Sequence, residues 1–125
     1  MDERSAVIKV GGVEYELILT TKATKEIAKK YGGLANMGES LLKSGNFEDA
    51  IGEIIWLITL LANQAILIHN LKNPNEKKEL LKEDDLELLT SPFELADYKD
   101  AIMECMTKGT KRFIQSEEPK NITTE

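Results

Sequence analysis

Two apolar-rich runs open the chain, 6–10 and 13–19, with Gly11-Gly12 between them. A glycine pair supplies the positive φ angles of a two-residue turn, so residues 6–19 predict a β-hairpin. Facing Val10 with Val13 sets Ile8 opposite Tyr15 and Ala6 opposite Leu17, all on one apolar face that Leu19 extends. Lys9 then meets Glu14 on the other face, an opposite-charge cross-strand pair. Val7 and Ile18 interrupt that second face. Either part of it is covered, or its edge pairs with another chain. Both residues are therefore candidate partner contacts.

Beyond Thr20 the period lengthens to that of a helix. Residues 22–31 predict a helix with Thr20 or Thr21 as cap, Lys29 and Lys30 at its negative end, and Gly32-Gly33 as its left-handed stop. Ala23, Ile27 and Tyr31 form its narrow apolar stripe. A second helix is expected over 34–43, ending at Ser44-Gly45-Asn46. Asn46 would cap a long helix over 47–71, with Glu48 and Asp49 in its favourable first turn. Gly52, Thr59, Asn63 and Asn70 share one narrow stripe of that helix, and nearly every other position from Ile54 to Leu71 is apolar. A helix apolar on most sides is enclosed by protein, either in a small bundle or at an oligomer interface. Trp56 falls inside the polar stripe and is either core packed from another direction or a partner contact.

Asn73-Pro74-Asn75 stops the long helix, and a highly charged connector follows. Broken helix is expected over 76–89, with Asp84 or Asp85 capping a short piece through Leu86 and Leu89. Ser91-Pro92-Phe93-Glu94 is a capping box with proline at the first helical position, and opens a helix over 92–114. Its stripe is Leu95, Tyr98, Ile102, Cys105 or Met106, Gly109 and Phe113. Residues 116–125 are polar and predict a disordered tail after a single domain spanning 1–115. The fold class is thus α+β, mainly α: a two-stranded N-terminal hairpin packed on a bundle of about four to five helices.

Composition changes this picture mainly by exclusion. The chain has 125 residues, enough for one domain with a real core. A net charge of −6 argues against nucleic-acid binding, even with Lys22, Lys25, Lys29 and Lys30 clustered on one helix. No signal peptide is expected, because the start lacks a basic segment and a long apolar run. The uncharged stretch 54–71 is interrupted by Thr59, Asn63, Gln64, His69 and Asn70. It reads as a buried core helix rather than a membrane span, which needs about 20 apolar residues.

Candidate chemistry is sparse. One cysteine, Cys105, and one histidine, His69, make neither an internal disulfide nor a structural zinc site. A nucleophile–base pair would need His69, which lies near the end of the most apolar helix. Cys105 reads as a small core residue, fitting a reducing compartment. Asp84-Asp85 and Glu117-Glu118 lie in charged segments where nothing would raise a carboxyl pKa by burial. The glycine pairs match neither phosphate-loop pattern. The expectation is no catalytic, cofactor or metal site. Met103 and Met106 are either core filling or an adaptable binding surface, and join Val7, Ile18 and Trp56 as candidate partner contacts.

The order of parts carries a resemblance. Val7-Ile-Lys-Val-Gly-Gly-Val-Glu-Tyr-Glu-Leu-Ile-Leu19 leads to Thr20-Thr21, then to a helix ending Lys25-Glu-Ile-Ala-Lys-Lys-Tyr-Gly-Gly33. A long helix with Ile54-Ile-Trp-Leu-Ile58 and Asn63-Gln64 follows. Over residues 6–115 this layout resembles the small tail assembly chaperones of long-tailed, siphovirus-like bacteriophages and prophages. The resemblance implies a non-catalytic protein of the bacterial host cytoplasm. It would coat the tape measure protein, help the tail tube protein polymerise around it, self-associate, and be absent from the finished particle. It also implies that a frameshifted longer form can exist, and it transfers no binding motif to individual positions. Two other expectations are a structural virion protein, such as a tail completion or head–tail joining subunit, and a bacterial helical adaptor or regulatory module.

Overall fold

A computed structural model describes residues 4–43 and 47–123, and the side chains of 42–47 and 110–123 are not described. Strands β1 (Ser5–Val10) and β2 (Val13–Ile18) form the antiparallel hairpin. Helices α1 (Thr21–Tyr31), α2 (Leu34–Lys43), α3 (Phe47–Lys72), α4 (Glu83–Leu89) and α5 (Pro92–Thr123) follow. The fold is α+β and mainly α, as expected.

The hairpin has the predicted register: Val10 faces Val13, Lys9 faces Glu14, Ile8 faces Tyr15 and Ala6 faces Leu17. Gly11 and Gly12 make the turn with φ of 58° and 83°, angles that other residues adopt only at a cost. A two-stranded hairpin is marginal alone, and here it docks on α3 and α5. Ala6, Ile8, Val10 and Leu17 enter the core from its inner face. Tyr98 on α5 donates its hydroxyl to the Lys9 carbonyl at 2.6 Å, and the Cys105 thiol donates to the Leu17 carbonyl at 3.4 Å. The last helix is thereby tied to both strands.

The helix ends follow local chemistry. Thr20 caps α1, its hydroxyl accepting from the Ala23 N–H at 3.0 Å, and Gly32 closes the helix at φ 88°. The Glu94 carboxylate accepts from the Ser91 N–H at 2.9 Å and from the Ser91 hydroxyl at 3.1 Å, fixing the start of α5. The expected stop at Ser44-Gly45-Asn46 and the Asn46 cap lie outside the described residues.

α3 is the centre of the bundle. Ile54, Ile55, Leu57, Ile58, Leu61 and Ala62 are buried against the hairpin, α1, α2 and α5. The stretch Glu48–Lys72 is long and apolar enough to cross a membrane, and in this fold it serves as the core helix.

Three expected boundaries move. Residues 77–82 have no regular secondary structure, and α4 begins after Lys82, so Asp84 and Asp85 sit in its first turn instead of capping it. α5 runs to Thr123, well past 114 and through most of the expected tail. Loss of the apolar period marks where a helix stops packing, not where its backbone stops being helical. The last two positions of that tail, 124–125, lie outside the described residues.

Candidate partner-docking surfaces

The polar stripe of α3 proves to be a clamp. Asn63 donates to the Leu81 carbonyl at 2.9 Å and accepts from the Leu81 N–H at 2.7 Å. One heptad on, Asn70 does the same for Lys78, donating at 3.0 Å and accepting at 2.8 Å. Each amide presents one donor and one acceptor, so it pairs with a backbone unit as a neighbouring strand would. His69 adds a ring-nitrogen contact of 2.9 Å to the Glu76 carbonyl. The connector is thus strapped along α3 by side chains, and its own residues 73–80 are all exposed.

Gln64, next to Asn63 in sequence, is buried. It accepts from the Thr20 hydroxyl and donates to the Leu60 carbonyl at 3.1 Å, joining the cap of α1 to the middle of α3. Between α1 and the strap lies a groove of about 320 Å³ floored by Trp56, Thr59, Leu60 and Leu67, with Lys22 and Glu83 on its walls. Trp56 is half-buried, its ring edge-on to Tyr31 at 6.1 Å and 71°, with the Lys30 ammonium 4.8 Å from its centroid. It packs against the core and borders the groove. Burial and the neighbouring Glu53 carboxylate push the Tyr31 hydroxyl pKa upward.

The other sequence-derived contacts separate. Val7 is exposed at 36% on the outer hairpin face. Ile18 shares that face by register but is 3% exposed, so it is not the surface contact expected. The open end of the hairpin is enclosed on both faces: Ser5, opposite Ile18, is 1% exposed, and the Lys108 ammonium donates to its carbonyl at 2.8 Å. Met106 is buried in the core cluster and Met103 packs half-buried against it, so the methionine pair fills the interior. The structure brings none of these five residues together into one surface.

The most exposed large apolar side chains among the described residues are three others. Leu71, Leu88 and Phe93 are 82%, 84% and 89% exposed, far more than any of the expected contacts. Phe93 carried a signal: it lies two residues before Leu95 and so falls off the stripe Leu95–Tyr98–Ile102.

Among the described residues, no three His, Cys, Asp or Glu side chains converge to hold a metal ion. Cys105 is buried, and burial pushes its thiol pKa up to about 12. A neutral, enclosed thiol is a poor nucleophile. Tyr98 is pushed up to about 12 by burial and then by the Glu94 carboxylate. Compared with known proteins, the chain matches no family model, no curated protein and no solved structure.

Proposed function

We propose that this chain is a non-enzymatic tail assembly chaperone of a long-tailed bacteriophage or prophage. It binds the tape measure protein in the host cytoplasm, keeps it soluble while the tail tube protein assembles around it, and leaves before the particle is complete. The observation that carries the reading is the set of large apolar side chains, Leu71, Leu88 and Phe93, held more than four-fifths exposed outside a complete core. A protein that coats a long helical client needs such surface. The order of hairpin, glycine-closed helix and long apolar helix is the layout that the family resemblance implies.

The test is co-expression with the protein encoded immediately downstream. The reading expects that protein to be soluble only with this chain and to leave the affinity column with it. A downstream protein that is soluble alone and is not retained overturns it. Detection of this chain in purified particles overturns it in favour of a structural virion protein.

A further inference from the structure

The end of the molecule formed by the strap, α4 and the start of α5 carries a surface that none of the core contacts uses. Asp85, Leu88 and Leu89 stand at i, i+3 and i+4 and share one face of α4. With Tyr15, Leu80 and Glu79 they line an open depression of about 340 Å³. Leu80, Leu88 and Leu89 are 46%, 84% and 52% exposed, and Phe93 follows at 89% on the second residue of α5. Leu89 also rests over the hairpin turn, so this face is backed by the fold and not by a loose loop.

Charge decides what fits there. From Glu83 to Asp97 the chain carries Glu83, Asp84, Asp85, Glu87, Glu94 and Asp97, and no lysine or arginine lies between Lys82 and Lys99. The charged residues that line the depression itself, Glu79 and Asp85, are both carboxylates, and such an apolar surface attracts apolar side chains flanked by cations and repels nucleic acid and anionic lipid. What it offers an occupant is side chains, so a segment that bonds its own backbone and presents leucines beside lysines suits it. A second copy of this chain is poorly suited. Its lysine-rich helix is α1, whose apolar residues Ala23 and Ile27 are 0% exposed within the core.

We propose that the α4–α5 corner is a docking site for a basic amphipathic helix of a partner protein, with Leu88 and Phe93 as its apolar anchors and Asp85 and Glu87 as charge partners. The site deepens the client-binding reading and rests on it, since it names the contact surface and the chemistry of the client segment.

The probe is a fluorescein-labelled 18-residue helical peptide of leucine and lysine with one apolar stripe, titrated into the full chain and followed by anisotropy. A scrambled peptide of the same composition is the control. The proposal expects the amphipathic peptide to bind at least tenfold more tightly than the scrambled one. Leu88→Ser and Phe93→Ser, both at exposed positions that the fold can spare, should each weaken binding about tenfold or more. Asp85→Lys should weaken it and reduce its salt dependence. Equal binding of both peptides, or undiminished binding by Leu88→Ser and Phe93→Ser, overturns the proposal. So does a concentration-dependent mass that Leu88→Ser abolishes, because the face would then belong to a second copy. Retention of the downstream protein by wild type and Leu88→Ser alike overturns this site and leaves the chaperone reading standing. Failure of wild type to retain it, with the peptide still bound at Leu88, overturns the chaperone reading alone.

Discussion

Asn63 and Asn70 make the same pair of hydrogen bonds to the strap, yet replacing them should have unequal cost. Asn63→Ala removes both partners of Leu81, which is 9% exposed. Water reaches that backbone unit poorly, so its N–H and C=O are left unsatisfied. An orphaned buried polar group costs about 1–3 kcal/mol, which puts the loss at about 2–6 kcal/mol for the pair. Asn70→Ala frees Lys78, which is exposed, and water replaces the lost partners. Its loss should be about 0.5–1 kcal/mol. Against a total stability of about 5–15 kcal/mol, the difference is large enough to measure by urea unfolding. Trp56, the only tryptophan, lies half-buried two turns before Asn63 on α3 and reports the transition. Hydrogen exchange at the Leu81 amide should quicken in Asn63→Ala before global unfolding does. Equal losses in the two variants, or a larger loss in Asn70→Ala, would refute the reasoning that burial sets the cost of this clamp.

Other outcomes follow from the same structure. Ile102→Ala, at a position with 0% exposure, should lose about 2–5 kcal/mol by calorimetry or denaturant titration through transfer and cavity terms. Gly12→Ala forces alanine to φ near 83° and should lose about 1–2 kcal/mol, although nothing lies within 4 Å of the added methyl. The Cys105 and Tyr98 pKa values are both raised in the fold, to about 12 from 9.0 and 10.0, so their neutral forms are the ones stabilised. That contribution is complete below the unfolded values and is lost as pH climbs through this window, at most about 1.4 kcal/mol per pH unit for each group. Melting temperature should therefore fall steadily above pH 9, and Cys105→Ala should delay the onset towards pH 10. A melting temperature flat to pH 11 would contradict this.

The hairpin and the helix caps were legible because their causes are local. Gly11-Gly12 sets the register, Thr20 and Gly32 bound α1, and Ser91 with Glu94 opens α5 within a few residues of each signal. The clamp was hidden because Asn63 and Asn70 meet partners 18 and 8 residues away, and a polar stripe on a helix reads equally as solvent-facing. Ile18 was placed on the correct face, but enclosure of the hairpin's open end depends on where the last helix passes. The exposure of Leu88 is hidden in the sequence for a related reason. In the seven-residue α4, burial of Leu86 at 0% leaves Leu88 pointing elsewhere, and only the packing shows which leucine goes in.

The central claim is that this chain holds a long helical client in solution. Size-exclusion chromatography with light scattering, on this chain co-expressed with the protein encoded immediately downstream, tests that claim most directly. The account predicts one complex with several copies of this chain per client, and a client that precipitates when expressed alone. A client that stays soluble by itself, with this chain eluting separately at its own mass, would contradict it.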